Sequence, residues 1–400
     1  MSPSIYDLAR ELIASILSDL DMRSLSSVLQ TAHFLRPHAE YLLYRRVDLR
    51  EGSASYERNA AFLTTVIRNP RLGGLVISFH PQIITDRKLH LTGGRGLTDL
   101  LADATPYLPN LETFALSHDH SGFPKCLQWD PSQAPPFQLR RLALHLRWGF
   151  SIIDTFLTDL VQLLQRQPNL LYISLRLFID GFFGSLPSSE DSGAPETVCP
   201  SLAILESTNT GIRLLLPKRR VKSLFWRCER SHQEPLRAFC DLETDSWLRN
   251  AFFTPGLCEA YGLLENLTIS GQVSLLPILS TFLLALKTLQ LLISMPIYPD
   301  DVYVTEWNQS LFMRAIGEIR NLEVLEVEWI EDVRASLDPK EIFSSCRKLM
   351  HFGLIEESGA RVMYSANCME RGAAGVGYSV RHGTSPNLPD LKKDWFMMGA

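Results

Sequence analysis

Paired cysteines, long apolar runs and an excess of one charge are all scarce in this chain of 400 residues. Seven cysteines lie scattered at positions 126, 199, 228, 240, 258, 346 and 368, with no Cys-x-x-Cys pair. That odd, unpaired set excludes a secreted disulfide framework and a zinc ribbon, and fits a reducing compartment. The most membrane-like stretch, Val273 to Leu286, is interrupted by Pro277 and closed by Lys287. It falls short of the ~20 apolar residues that a bilayer crossing needs, so it reads as a buried amphipathic helix. Asp7, Arg10 and Glu11 precede any long apolar run, so no signal peptide is expected. An intracellular protein, in cytoplasm or nucleus and off the membrane, is the reading. Basic residues number 39 and acidic ones 44, a net charge of −5, which excludes a general nucleic-acid coat.

Catalytic motifs are missing too. The sequence has no Gly-x-Ser-x-Gly elbow, no His-Glu-x-x-His helix and no reactive-cysteine motif. His118-Asp119-His120 with Cys126 has ligand residue types, but no second cluster at metal-site spacing, and reads as a solvated loop. Gly93-Gly94-Arg95-Gly96 lacks the Lys-Ser/Thr of a phosphate loop and reads as a turn before a helix, as does Gly372 to Gly377. Lys218-Arg219-Arg220 with Lys222 has the composition of a nuclear-import signal, yet it leads straight into an apolar phrase and reads as a solvated loop. No cofactor, no metal and no bond chemistry are expected.

What is present is core. Hydrophobic residues make up 46% and charged ones 21%, which excludes wholesale disorder. At this length the chain holds two to three domains or one elongated repeat array. In the first fifty residues, Ser4 with Asp7 has the pattern of a capping box. Leu8, Leu12, Ile13, Ile16, Leu17 and Leu20 then recur at helical steps. Asp21 suits the cap of a second helix carrying Leu25, Val28, Leu29 and Ala32, and Pro37 suits the first turn of a third, through Tyr41, Leu42 and Leu43. Three short helices cannot bury all these faces among themselves, so a partner or the next domain must cover the remainder.

Leu8 to Leu49 resembles an F-box, the helical module that docks on the Skp-family adaptor of cullin–RING ubiquitin ligases. The resemblance rests on Leu8, Glu11, Leu12, Ile16, Leu17, Leu20, Asp21, Ser24 and Leu25, and on the closing Glu40-Tyr41-Leu42-Leu43-Tyr44-Arg45-Arg46-Val47. The closing phrase is typical of fungal F-box families. The chain departs from the family at Ala9, where Pro is usual, and at Ala32-His33.

From about residue 60 a second pattern runs, Leu-x-x-Leu-x-Leu, often after Pro-Asn or Cys-Pro. Its instances are Leu72/Leu75/Ile77, Leu111/Phe114/Leu116, Leu139/Leu142/Leu144, Leu170/Ile173/Leu175, Val221/Leu224/Trp226, Leu264/Leu267/Ile269, Leu286/Leu289/Leu291, Leu322/Leu325/Val327 and Leu349/Phe352/Leu354, with a weaker Leu202/Leu205. Such a phrase is a short strand sending alternate side chains inward, and stacked copies bury one continuous core, with Leu142, Leu175, Leu267, Leu289 and Leu325 expected in one row. Helical spacing fills the gaps, at Ile152 to Leu164 and at Leu275 to Leu286. The tail from Ser358 carries two alternating stretches, Val362-Tyr364 and Val376-Val380, which read as a hairpin or cap before a loose end.

The expected fold class is therefore α/β: short N-terminal all-α, F-box-like helices, then an irregular leucine-rich-repeat arc with parallel strands inside and helices outside. The boundaries fall at 1–50, 51–357 and 358–400. Fungal F-box proteins commonly carry such degenerate repeats, and the resemblance implies a substrate-recognition subunit. The adaptor would dock on Leu8, Leu12, Ile13, Ile16, Leu17 and Leu20, supported by Leu25, Val28 and Leu29. A target protein would meet the strand residues that point away from the core, among them Arg141, His145, Ser174, Arg176, Phe225 and Arg227, with Glu326 and Glu328 later. The alternative is a leucine-rich-repeat scaffold whose helices only cap the repeat core; exposure of Ile13 and Leu17 is the discriminating observation.

Overall fold

A computed structural model describes residues 8–49, 55–83, 96–118, 123–128, 134–148, 153–179, 194–227, 252–270, 276–292, 309–328, 337–355, 361–366 and 378–382. The capping box at Ser4 and Asp7 and the loose end after 382 lie outside them. The chain divides into two compact units, one of residues 1–182 with 194–202 and one of 183–193 with 203–400.

The first unit opens with three helices, α1 (Arg10–Ser18), α2 (Met22–Thr31) and α3 (Arg36–Arg45). The Asp21 carboxylate accepts from the Ser24 amide at 2.7 Å and so caps α2. Pro37 sits in the first turn of α3, where its missing amide costs nothing. Helix α3 runs directly into β1 (Arg46–Asp48). There follow α4 (Ser55–Arg68), α5 (Pro70–Gly73), β2 (Ser78–His80), β3 (Gln82–Ile83), α6 (Leu97–Ala104), β4 (Thr113–His118), β5 (Arg141–Trp148), α7 (Ile153–Gln165) and β6 (Tyr172–Ile179). The strands pair in parallel in the order β1-β2-β4-β5-β6, with β3 beside β4.

The second unit contains β7 (Ile204–Ser207), α8 (Asn209–Leu215), β8 (Ser223–Arg227), α9 (Pro255–Tyr261), β9 (Asn266–Ser270), α10 (Leu276–Leu279) and β10 (Thr288–Leu292). It continues through α11 (Gln309–Glu318), β11 (Val324–Glu328), α12 (Pro339–Ser345), β12 (His351–Ile355), β13 (Arg361–Ala366) and β14 (Tyr378–His382). Strands β7 to β12 pair in parallel in chain order. The tail closes the sheet antiparallel through β13 and β14, as the two alternating stretches suggest.

The leucine phrases are these strands. Phe114, Leu142 and Ile173 are registered partners, as are Leu116, Leu144 and Leu175. In the second unit Leu205, Leu224, Leu267, Leu289, Leu325 and Phe352 form one row, and all are buried. Two neighbouring amides at each strand start donate to one carbonyl of the preceding repeat: Arg140 and Arg141 to Glu112, Lys287 and Thr288 to Glu265, Met350 and His351 to Glu323. The Asn before the leading Leu is part of the same device. Asn110 Nδ2 donates to Gly74 O at 2.6 Å and Asn321 Nδ2 to Leu284 O at 2.7 Å. Buried polar backbone must be paired, and these contacts satisfy the bends between repeats.

Three expectations need correction. The first phrase is not Leu72/Leu75/Ile77: Leu72 lies on α5, and Val76 and Phe79 fill the core positions, Phe79 being registered with Phe114. Gly73, on the same helix, packs where an added Cβ would collide with the Tyr107 carbonyl. The helix expected over Leu275 to Leu286 shrinks to the single turn α10, followed by turns; Leu283 and Leu286 stay buried without helical backbone. Leu142 and Leu175 are both fully buried, yet they belong to adjacent rows rather than one, because Leu142 registers with Ile173.

Candidate docking surfaces

Ile13, Leu17, Leu25, Leu35 and Ala39 form a core within the three N-terminal helices, with Leu20, Val28 and Leu29 packed half-buried against it. Ile13 and Leu17 are 2% and 3% exposed, so they hold the helices together and present nothing to a partner. The same holds for Leu25. The adaptor set inferred from periodicity thus splits by a helix's 3.6-residue turn. Leu8, Leu12 and Ile16 are left outside, at 37%, 54% and 50% exposure. The helices are fastened to the repeats by Glu40 on α3, which is buried. Its carboxylate accepts from Arg71 Nη2 at 2.7 Å, on α5, and from Arg36 Nε at 3.0 Å. Burial pushes the Glu40 carboxyl up, but the two guanidinium bonds outweigh it and leave the pKa below the usual value.

On the strands, residues between the core positions point to the opposite face. In the first unit Arg141 is half-buried on β5, with Tyr172 as its registered partner, and His145 registers with Arg176. Burial lowers the Arg141 pKa, and the like charges of Arg140 and Arg46 add to that. Ser174 is buried on the same face.

In the second unit the expected target residues are largely engaged or covered. Arg227 Nε bonds Glu206 Oε1 at 2.6 Å, and Glu206 is itself buried. Arg227 is therefore matched by a carboxylate that the weak Leu202/Leu205 phrase carries and that sequence reading passed over. Phe225 is 7% exposed and offers little surface. Glu326 is buried as well, at 2%. Gln290 Nε2 donates to Glu326 Oε2 at 2.9 Å, and Thr268 Oγ1 donates to Gln290 Oε1 at 3.2 Å. Glu328 is half-buried. This face is a hydrogen-bonded seam, closed at one end by Gly353, whose added Cβ would lie 2.6 Å from Met363 Sδ on β13. Trp226 points inward as expected, against Phe252 and Tyr261, with its indole N–H donating to Asn209 Oδ1 at 2.8 Å.

Arg219 corrects the basic-loop reading. It is buried, and its Nη1 donates to the carbonyls of Leu215 and Pro217, both at 3.0 Å. It closes the end of α8 beside Lys218, whose φ of 63° turns the chain. His118 ends β4, and residues 119–120 lie outside the described residues. Cys126 and Cys346 are free thiols that burial pushes up to about 12, far from a nucleophile's range. Cys346 Sγ donates instead to Ile316 O at 3.3 Å. A shallow cavity of about 400 Å³ at the strand starts of the first unit is lined by Glu112, Gln138, Arg140, Asn169, Leu171 and Ser201. Among the described residues, no helix is long and apolar enough to cross a membrane.

No protein-family model matches the sequence, and no curated protein does. A solved structure of similar build is the leucine-rich repeat-containing protein LegL7 from Legionella pneumophila. It is 12% identical, over 74% of this chain and 80% of that one, with a TM-score of 0.36. A likeness at that score carries no weight, and the repeat assignment rests on the register of this chain's own strands.

Proposed function

We propose that this chain is a non-catalytic substrate-recognition subunit of a cullin–RING ubiquitin ligase, working inside the cell. Its N-terminal helices dock a Skp-family adaptor, and its repeat strands hold a target protein. The contribution is proximity: a target lysine is kept near a ubiquitin carrier loaded by other enzymes. The observation that carries the reading is the set of apolar side chains left exposed on α1 and just before it. The three helices complete a core of their own from Ile13, Leu17, Leu25, Leu35 and Ala39, and Leu8, Leu12 and Ile16 remain outside it. Full burial of such a side chain is worth about 1.5–3 kcal/mol, and covering the exposed half of each gains roughly half of that before association costs. The F-box resemblance supplies the identity of that partner.

Co-purification of the full chain with a Skp-family adaptor tests the proposal. Leu12→Asp with Ile16→Asp removes binding while circular dichroism stays that of the wild type. Undiminished adaptor binding by that double variant sinks the reading. The second reading, a leucine-rich-repeat interaction scaffold without a ligase role, is favoured by the burial of Ile13 and Leu17, by the way α3 runs into β1 and by the Glu40–Arg71 bond, which make the helices a cap on the sheet. On that reading neither the wild type nor the variant retains adaptor.

A further inference from the structure

The asparagine that fastens the bends between repeats is put to a different use in one copy. Asn110, in Pro109-Asn110-Leu111, donates to the Gly74 carbonyl, four positions ahead of Ser78 at the start of β2. Asn321 likewise donates to the Leu284 carbonyl, four positions ahead of Thr288 at the start of β10. Asn169 holds the same place in Pro168-Asn169-Leu170, and its matching acceptor, four positions ahead of Arg141 on β5, is the Phe137 carbonyl. That carbonyl is already taken. Gln167, fully buried, donates to it through Nε2 at 3.2 Å and accepts from the Leu139 amide through Oε1 at 2.6 Å. The exposed Asn169 carboxamide is thereby released from the bend and makes no hydrogen bond.

Asn169 lines the cavity of about 400 Å³ at the strand starts of the first unit. One side of it is Glu112, Arg140 and Leu171, which immediately precede the registered neighbours Thr113, Arg141 and Tyr172. The other is Gln138, Asn169 and Ser201. The backbone beneath is locked, because the Arg140 and Arg141 amides donate to Glu112 O and the Leu171 and Tyr172 amides to Arg140 O. The Gln138 and Ser201 side chains are as free of hydrogen bonds as that of Asn169. Arg140 Nη1 stands 4.0 Å from Glu112 Oε2, beyond hydrogen-bond length. The lining therefore offers donors and acceptors together with no net charge, and Leu171, 37% exposed, supplies one apolar contact.

We propose that this cavity binds a short, uncharged, extended peptide segment of a partner protein, pairing with its backbone amides and Gln or Asn side chains through Asn169, Gln138, Arg140 and Glu112. The proposal rests on the reading of the repeats as the part that holds a target, and moves the contact from the strand faces to the strand starts. An amide group carries a carbonyl oxygen with an N–H beside it. Its oxygen accepts from the Arg140 guanidinium, its N–H donates to the Glu112 carboxylate, and a carboxamide meets it at two points. A charged side chain instead meets one of Glu112 and Arg140 with the wrong sign. Strands β4, β5 and β6 at ~4.8 Å spacing put Glu112 and Leu171 about 10 Å apart, the length of three extended residues at ~3.3 Å each.

The test is fluorescence anisotropy of a labelled, end-capped Ser-Gln-Leu-Gln-Ser peptide against the full chain, beside the same peptide with Glu or with Lys in place of Gln. The Gln peptide binds saturably, and the Glu and Lys forms bind at least fivefold more weakly. Because the lining has no net charge, added salt changes the affinity of the Gln peptide less than twofold. Asn169→Ala with Gln138→Ala weakens binding at least tenfold and leaves the urea midpoint where it is, since neither carboxamide has a partner to lose. Asn110→Ala does the reverse: its bond to Gly74 is lost and the midpoint falls, while peptide binding stays within twofold. No saturable binding, a Glu or Lys peptide bound as tightly as the Gln peptide, or undiminished binding by the double variant overturns the proposal. Adaptor co-purification is read on the same preparation. Adaptor retained without peptide binding sinks this site alone, and peptide bound without adaptor sinks the ligase reading alone.

Discussion

Leu289 and Leu284 are the same residue type five positions apart, and the structure gives them opposite roles. Leu289 lies on β10 between the registered leucines Leu267 and Leu325 and is fully buried. Leu284 sits in the preceding turn and is 68% exposed. Truncating Leu289 to Ala removes two methyls and a methine from the core, a transfer loss of about 2.4 kcal/mol at ~0.8 kcal/mol per carbon. Its strand neighbours are hydrogen-bonded in place on both sides, so the site cannot collapse fully and a cavity remains. That brings the expected loss to about 3–4 kcal/mol, within the ~2–5 kcal/mol range for buried Leu→Ala changes. Leu284→Ala removes the same atoms from water and stays within ~0.5 kcal/mol. Equilibrium urea unfolding followed by circular dichroism measures both, provided the slope on denaturant is unchanged. A Leu289→Ala midpoint within 1 kcal/mol of the Leu284→Ala value, on the scale of that slope, refutes the stacked-strand core.

Two further outcomes follow from single side chains. Glu40→Gln weakens the bonds to Arg71 and Arg36 and lowers stability at neutral pH by about 1 kcal/mol. Because the folded pKa lies below 4.5, the carboxylate's contribution is present above that value and disappears as pH falls through the depressed one, so the wild type and variant converge in acid; a difference that grows below pH 4 contradicts the assignment. Arg219→Ala leaves the carbonyls of Leu215 and Pro217 short of a buried donor and costs about 1–3 kcal/mol, read in the same urea experiment; a change within 0.5 kcal/mol restores the solvated-loop reading.

The repeat core was legible in the sequence because a strand's period of two and the leading Leu before it leave a six-residue signature. Nine of the ten phrases, from Leu111 to Leu354, lead into strands and continue along them, with their apolar residues buried. The caps at Asp21 and Pro37 were legible for the same reason: they act within one helical turn. The phrase at Leu72 misled because its string is correct while Pro70 starts a helix beneath it, and Leu275 to Leu286 misled because helical spacing of leucines is also met by a turn that buries Leu283 and Leu286 separately. Which leucines of α1 face outward depended on α2 and α3, since Ile13 and Leu17 are core only once Leu25 and Ala39 arrive. The fate of the charges was likewise a tertiary matter. Glu206 and Arg227 are 21 residues apart in the chain and meet only because β7 lies beside β8. Periodicity fixes which way a side chain points along its own element; what stands opposite it is decided by the packing of elements distant in sequence.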